Sequence, residues 1–370
     1  MTTLARAVGQ LLTVGFEGTS VPDELAARIA ASEVGGVMLF RPNIVDPGQV
    51  AAVVTALRAA RPPEAACLVA VDQEGGLVQR LRAPLTVWPD MLSVGSAGDA
   101  DRTFRVGQAL GAELAALGIG WDFAPVLDVH TNPDNPVIGN RAFGTTPQAV
   151  ATQALAFWRG LRAAGLVGCG KHFPGHGDTR TDSHLDLPVV DHDLARFRTV
   201  ELAPFAAAAR AGIDAIMTAH VLYPALDPKW PATLSPRILT DLLRGELDFQ
   251  GVIVSDDLGM KAVADRYPVE ELAVRSVAAG ADVLLIRGPV RAQTDAFAAL
   301  LREAERDSGF AARVQQSASR VATMKAACRV GLPSSPWTAV ASTAEHQRLA
   351  ASFPAVDPRS PVAASPVVEA

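Results

Sequence analysis

The sequence has 370 residues, of which 49% are hydrophobic, and its net charge is −6 from 39 acidic and 33 basic side chains. This apolar content is enough for one large core and excludes a chain that is disordered throughout. The acidic balance, with arginines scattered along the chain, argues against a nucleic-acid partner. Cys67, Cys169 and Cys328 are far apart without CxxC spacing, which predicts neither a disulfide framework nor a thiolate zinc site.

The first residues, MTTLARAVGQLLTVGF, lack the basic start and long apolar stretch of a secretion signal. No stretch of about 18 uncharged apolar residues occurs either, so we expect no membrane partner. These features predict a cytoplasmic protein, and they carry no signal for its oligomeric state.

Short apolar runs of strand length alternate with Ala-rich segments of helical periodicity. This pattern is typical of parallel strands covered by helices, and eight runs match the strand number of a (β/α)8 barrel. A doubly wound sheet is the alternative topology. The predicted strands are residues 11–16 and 120–128 and the runs that end at residues 40, 72, 173, 220, 256 and 288. The predicted outer helices include residues 50–60, 102–117, 147–164, 202–211 and 269–279.

One barrel domain is predicted for residues 1–330, followed by a tail at residues 331–370. The tail is rich in Pro, Ser and Ala and has no clear helical periodicity. We expect it to pack partly through Trp337 and to be mobile elsewhere.

Most of the predicted strands end on ionisable side chains. In a parallel barrel the carboxyl ends of all strands share one face, so residues distant in sequence are expected to converge there. For each residue alone, a helix cap or a solvent-facing position is the alternative. The strand-end residues are Asp72, Asp128, Lys171 with His172, His220, Asp256 and Arg287.

The segment KHFPGHGDTRTDSHLDLPVVDH, residues 171–192, holds four of the seven histidines. Its glycines, proline and short polar side chains favour turns, so it predicts a long loop after a strand. One use of it is a metal site on His172, His176 and His184, although Pro174 excludes a helical HxxxH geometry. Another is anion binding by Lys171, His172 and glycine amides.

The third use is acid–base chemistry. Asp182, two residues before His184, could orient that imidazole and favour its protonated form, which makes a general acid. The run VIVSDDLGM presents Asp256 at a strand end, where its carboxylate could act as a nucleophile. Asp257 is expected instead to cap the following helix.

The blocks VDQEGG followed by QR, NPVIGNRAFG, KHFPGHGDTRTDSH, TAH and SDDLGM occur in that order. Together they resemble the β-N-acetylglucosaminidase branch of glycoside hydrolase family 3, over roughly residues 10 to 330. The resemblance implies a single (β/α)8 barrel that removes terminal N-acetylglucosamine with retention of configuration and needs no cofactor or metal. It also implies a cell-wall (muropeptide) fragment as the natural substrate.

The resemblance assigns roles to individual residues. Asp256 corresponds to the nucleophile and His184 to the general acid/base, with Asp182 as its partner. The sugar-binding positions are Asp72, Arg80, Arg141, Lys171 and His172. For Arg80 and Arg141, a surface or interface salt bridge is the alternative role.

Two residues depart from the family pattern. Leu77 stands where many relatives carry Arg, and His130 stands where Asn is usual, which affects the expected outer contacts. Three other functions stay open: a phosphorylase that uses inorganic phosphate, because a histidine acid does not repel anions as a carboxylate does; a sugar-binding barrel without activity; and a metal-dependent hydrolase.

Overall fold

The structure is a computed structural model that describes residues 2–61, 67–183, 185–332 and 336–359. Its barrel strands are β1 (Leu12–Val14), β2 (Gly36–Leu39), β3 (Leu68–Val71), β6 (Trp121–Asp122), β7 (Val167–Phe173), β8 (Ala215–Thr218), β9 (Val252–Asp257) and β10 (Val283–Ile286). Two further strands, β4 (Gln73–Gly75) and β5 (Val78–Gln79), form an antiparallel hairpin after β3.

The parallel strands close into a barrel in the order β1-β10-β9-β8-β7-β6-β3-β2. Each predicted apolar run supplies one of them, so the predicted (β/α)8 barrel is confirmed. The doubly wound alternative is wrong, because that sheet would have two open edges.

Strand residues alternate between the inside of the barrel and the helical layer. In β9, Val252 and Val254 belong to the cluster inside the barrel, whereas Ile253 packs in the outer core. In β8, Met217 points inward and Ile216 outward. Both faces are therefore apolar, as a parallel strand covered by helices requires, and the runs read as continuous hydrophobic segments.

Helices surround the barrel, and many begin at a side-chain cap. Asp46 accepts a hydrogen bond from the backbone N–H of Gln49 and Pro47 occupies the first turn, so α3 begins earlier than the predicted residue 50. The predicted helices correspond to α3, α5, α6, α8 and α10. The helices are α1 (Thr3–Gln10), α2 (Asp23–Ala30), α3 (Pro47–Ala60), α4 (Met91–Ser96), α5 (Ala100–Ala116), α6 (Pro147–Ala163), α7 (Leu194–Thr199), α8 (Leu202–Ala211), α9 (Lys261–Ala264), α10 (Val269–Ala279), α11 (Val290–Arg306), α12 (Ser308–Ala327) and α13 (Ala344–Ala351), with a π-helix at Arg237–Glu246 and 3₁₀ turns at Arg41–Asn43, Gly139–Arg141, Ala232–Leu234 and Trp337–Ala339. Within the described residues, no helix combines the length and apolar character needed to cross a membrane.

A buried aspartate ties the helices to the start of β10. Asp282 is fully buried and forms ion pairs with Arg244, with Arg313 at 2.9 Å and with Arg320 at 3.3 Å. Its carboxylate also accepts from the backbone N–H of Ile253 at 2.9 Å. This cluster lies at the amino ends of the strands, the face that serves stability in such barrels.

The C-terminal segment packs more extensively than the sequence predicts. Trp337 lies against the core, as expected. Beyond it, α13 forms and Phe353 is buried beneath the guanidinium of Arg102, 4.4 Å from its ring centroid. The expectation that only Trp337 packs is therefore wrong, since α13 is too short for its periodicity to be recognised. Residues 333–335 and 360–370 of the predicted tail lie outside the described residues.

The segment also holds the loop that follows β5. Glu113, on α5, accepts hydrogen bonds from the hydroxyl of Thr86 at 2.7 Å and from the backbone N–H of Ser342 at 2.8 Å. His346 Nδ1 lies 2.9 Å from the same carboxylate oxygen. One buried carboxylate thus joins the loop after β5 to the C-terminal segment.

We predict that Glu113→Ala lowers the free energy of unfolding by about 3 kcal/mol, because the truncation leaves several buried donors without an acceptor. Urea unfolding measures the change. Glu305→Ala, which removes an exposed carboxylate from α11, should change stability by less than about 0.5 kcal/mol. Equal stability of the two variants would contradict this role of Glu113.

Candidate active site

A pocket of ≈ 180 Å³ opens at the carboxyl ends of the barrel strands. Its floor is formed by the top layer of the barrel interior, which includes Met38, Phe123 and Met217. The predicted site residues that line it are Asp72, Arg80, Arg141, Lys171, His172 and Asp256. The structure therefore brings together residues that are up to 184 positions apart in sequence, from Asp72 to Asp256.

Four charged side chains form a continuous cluster on one side of the pocket. The ammonium group of Lys171 lies 2.8 Å from Asp72 Oδ1 and 2.5 Å from Glu74 Oε1. Glu74 receives two further hydrogen bonds of 2.8 Å from the guanidinium of Arg141. Arg80 extends the cluster through a 3.0 Å contact with Asp72. The salt bridges considered for the two arginines do form, but inside the pocket rather than on the remote surface.

The pairing keeps Glu74 and Lys171 charged despite their burial. Burial would raise the pKa of Glu74, but Arg141 and Lys171 hold that pKa below its usual range. Burial would likewise lower the pKa of Lys171, and the carboxylates of Asp72 and Glu74 raise it instead. Because Lys171 already faces two carboxylates, the alternative in which it binds a phosphate anion is not supported.

The β4–β5 hairpin carries Glu74 and Arg80 into the pocket. Gly76, at its turn, has φ = +57°, and a Cβ there would lie 2.7 Å from the Cα of Asp90. Only glycine fits this close approach in a left-handed conformation. The backbone N–H of Gln73 donates to Asp122 at 2.9 Å and anchors the hairpin to β6. Glu74 belongs to the quoted VDQEGG block, yet sequence reasoning did not assign it a role.

His172 is oriented by a carboxylate behind it. Its Nδ1 lies 2.7 Å from Asp128 Oδ2, and Asp128 also accepts from the backbone N–H of His176 at 2.6 Å. With Nδ1–H donating to Asp128, Nε2 of His172 faces the pocket, 3.5 Å from Arg141. Asp128 is therefore a supporting residue, although its strand-end position predicted a place in the pocket wall.

His176 anchors the loop that follows β7. Its Nδ1 lies 2.7 Å from the hydroxyl of Thr179, and its Nε2 lies 3.2 Å from the hydroxyl of Ser183. Both ring nitrogens are thus engaged with protein hydroxyls. Within the described residues no group of three or more His, Cys, Asp or Glu side chains is arranged around a common metal position.

Asp256 lies half-buried in the pocket wall near the end of β9. Burial would raise the pKa of Asp256, but His220, His172 and the backbone N–H of Asp257 offset it, and the pKa falls below its usual value. That N–H donates to Oδ1 at 2.8 Å. The carboxylate is consequently ionised at neutral pH and available to an electrophile in the pocket.

Asp257 is not the helix cap that the sequence predicts. The next helix, α9, begins only at Lys261. Asp257 Oδ1 instead accepts from the backbone N–H groups of Gly259 and Arg287, both at 3.0 Å. The carboxylate therefore fixes the turn after β9 to the end of β10.

The predicted acid lies at the edge of what the structure describes. His184 is outside the described residues, so its role and its pairing with Asp182 stay predictions. Asp182 is half-buried, and Ser183, between the two, lines the pocket. This part of the loop therefore reaches the site that contains Asp256.

Neither departure from the family pattern lies in the pocket wall. The side chain of Leu77 is 73% exposed at the hairpin turn, where its neighbour Val78 lines the pocket instead. His130 is buried, and its Nε2–H donates to the carbonyl of Pro358 at 3.0 Å. His130 thus joins the loop before Arg141 to the C-terminal segment.

The buried His176 predicts a pH dependence of stability. Burial, followed by the neighbouring His172, lowers the pKa of His176 to about 4 from 6.5. Between these values the unfolded chain binds a proton that the folded chain does not, so stability falls as the pH decreases from about 6.5 to about 4. The loss should reach about 3 kcal/mol in urea unfolding. His176→Gln should remove this part of the slope; parallel slopes for variant and wild type would contradict it.

Comparisons with known proteins agree with the architecture. The glycosyl hydrolase family 3 N-terminal domain matches residues 3–324. A beta-hexosaminidase from Chromobacterium violaceum is 44% identical over 279 residues, which are 74% of this chain and 77% of that protein. A beta-hexosaminidase from Pseudomonas aeruginosa is 42% identical over 295 residues, covering 79% of this chain and 86% of that protein.

Two solved structures are similar over most of the chain. A family 3 β-N-acetylglucosaminidase from a Paenibacillus species has a TM-score of 0.89 and 42% identity, covering 95% of this chain and 68% of that chain. NagZ from Neisseria gonorrhoeae, solved with N-trifluoroacetyl-D-glucosamine, has a TM-score of 0.78 and 34% identity, covering 92% of this chain and 96% of that chain. The chain therefore belongs to glycosyl hydrolase family 3 and is a glycoside hydrolase.

Proposed function

We propose that the protein is a retaining exo-β-N-acetylglucosaminidase that hydrolyses terminal N-acetylglucosamine from β-linked substrates. The observation that carries the proposal is that the ionised carboxylate of Asp256 shares one pocket with the cluster of Asp72, Glu74, Arg141 and Lys171. The names of the similar proteins, beta-hexosaminidase and β-N-acetylglucosaminidase, support the choice of sugar.

The shape of the pocket supports cleavage at a chain end. Lys171 and Glu74 are only 2% and 1% exposed, and the barrel interior closes the floor beneath them. A pocket closed at its inner end suits a terminal sugar rather than the interior of a continuous chain. The charged groups beside it can hold hydroxyls through charge-assisted hydrogen bonds whose direction is fixed before the sugar arrives.

The reaction proceeds in two steps. Asp256 attacks the anomeric carbon while His184, oriented by Asp182, donates a proton to the departing glycosidic oxygen, which leaves a covalent glycosyl-enzyme. Water then attacks the same carbon, His184 takes its proton, and the Asp256 carboxylate is released. Two displacements at one carbon return the sugar with retained configuration.

The natural substrate we propose, on the family resemblance, is a muropeptide-derived cell-wall fragment processed in the cytoplasm. Neither the pocket nor the fold specifies the part of the substrate beyond the first sugar.

We predict that the wild type releases the β-anomer of N-acetylglucosamine first from an aryl β-N-acetylglucosaminide, as seen by proton NMR during turnover. Asp256→Ala should reduce kcat by at least about 10³-fold, because no nucleophile remains, while it still binds N-acetylglucosamine. Asp265→Ala, an exposed carboxylate in the segment after β9, is the matched control and should retain activity. Near-normal turnover by Asp256→Ala refutes the assignment.

The same assay distinguishes hydrolysis from phosphorolysis. In phosphate buffer a hydrolase still gives free N-acetylglucosamine, whereas a phosphorylase gives N-acetylglucosamine 1-phosphate. Formation of the sugar phosphate as the main product would replace the proposed second step. If the wild-type protein gives no product at all, a sugar-binding barrel without activity is favoured. If turnover is lost after exhaustive chelation, a metal-dependent hydrolase is favoured.

If His184 is the general acid, His184→Ala should be most damaging for leaving groups that need a proton. We expect kcat/KM to fall by about 10² to 10⁴-fold for a substrate with an alkyl leaving group, and by much less for a dinitrophenyl glycoside. Asp186→Asn alters an exposed carboxylate in the same loop and serves as control. An equal loss for both leaving groups would show that His184 has another role.

A further inference from the structure

A second cavity adjoins the sugar pocket. It has a volume of ≈ 510 Å³, and Phe40, Asp257 and Arg287 line both spaces. Resting on the proposed function, we propose that this cavity receives the leaving group of the substrate and that Arg287 selects leaving groups that carry a carboxylate.

The position of Asp256 places this cavity on the reducing-end side of the bound sugar. We assign Asp72, which follows β3, and Lys171, which lies on β7, to the sugar hydroxyls. Asp256 lies on β9. The second cavity is built from the loops after β1, β2 and β10 and from the end of β9 with its following turn, where Asp257 directly follows Asp256. A sugar that contacts the charged cluster with its hydroxyls and Asp256 with its anomeric carbon can therefore extend its C1 substituent into this adjoining cavity.

The size and lining of the cavity suit a leaving group. Its volume exceeds that of the sugar pocket, ≈ 510 Å³ against ≈ 180 Å³. Phe16, Phe40 and Pro289 supply apolar walls. The side chain of Asn43 donates to the carbonyls of Phe16 and Gly18 at 2.9 and 2.8 Å, which joins the β1 and β2 loops into one fixed wall.

Arg287 is the one guanidinium in the two linings that no described carboxylate neutralises within 4.0 Å. Arg80 and Arg141 are paired with Asp72 and Glu74. The guanidinium of Arg287 lies instead over the ring of Phe40, 4.8 Å from its centroid. Stacking on an aromatic ring fixes the plane of the fork and leaves its N–H donors for a carboxylate, which the fork binds through two parallel bonds.

The acidic side chains near Arg287 restrict where an anionic group can bind. The carboxylate of Asp257 is occupied by the backbone N–H groups of Gly259 and Arg287. Glu17 lines the cavity but is exposed to solvent. A carboxylate of the leaving group is therefore attracted by Arg287 and repelled by Glu17, and it binds on the Arg287 side.

The test uses two aryl β-N-acetylglucosaminides that differ in one substituent, a carboxylate in one and a carboxamide in the other. We take the ratio of their kcat/KM values for each protein, so that differences in intrinsic reactivity cancel between wild type and variant. Arg287→Gln should lower the preference for the carboxylate by about fivefold or more, and Arg287→Lys should restore it only partly. Glu17→Gln should increase the preference. Arg291→Gln, which removes an exposed arginine at the start of α11, should leave the ratio unchanged.

The outcomes separate this inference from the proposed function. If Arg287→Gln slows both substrates equally, Arg287 contacts the sugar itself, and the assignment of the cavity to the leaving group is wrong. If the ratio is the same in the variant and the wild type, Arg287 has no part in selection, while hydrolysis of the neutral substrate still upholds the glycosidase. Absence of hydrolysis of either substrate by the wild type would overturn both.

Discussion

The active site depends on keeping two carboxylates and two cationic side chains together where water is largely excluded. A lone Lys171 ammonium or Glu74 carboxylate at that depth would be costly, and each is stable only because Asp72, Glu74, Lys171 and Arg141 neutralise one another. Residues from β3, the β4 hairpin, β7 and the loop before α6 must therefore meet at fixed distances. The same requirement yields a rigid set of hydrogen-bonding groups, already oriented when a sugar hydroxyl replaces water.

Charge clusters occur at both ends of the barrel, but only one of them can act on a ligand. At the amino ends of the strands, Asp282 is surrounded by Arg244, Arg313 and Arg320 and is fully buried. All of its charge serves to attach α12 and the π-helix to the barrel. At the carboxyl ends the charged cluster borders a pocket with Asp256 in its wall. The end of the strands at which a charge cluster lies, rather than the number of its charges, therefore distinguishes a stabilising cluster from one that can contact a ligand.

The sequence predicts what depends on periodicity and strand direction, and fails where contacts are long-range. Apolar runs located all eight strands, and the residues at their ends identified Asp72, Lys171 and Asp256 as pocket residues. Glu74 was missed because it lies in a hairpin beside the barrel. There, neither the helical nor the strand spacing of apolar residues indicates where its side chain points. The contact between His130 and Pro358 joins residues 228 positions apart and leaves no local pattern. In contrast, the early start of α3 does have a local sequence signal, because Asp46 followed by Pro47 is typical of a helix cap and first turn.

The two groups that we propose to react with the substrate are placed on different kinds of structure. Asp256 is on a strand, with its carboxylate fixed by a backbone N–H, as a nucleophile must be to stay aligned with one carbon. The proposed acid is on a loop attached through His176 to Ser183 and Thr179. Because the charged cluster and the barrel interior close the inner end, the sugar must leave through the mouth by which it entered, after the leaving group has gone.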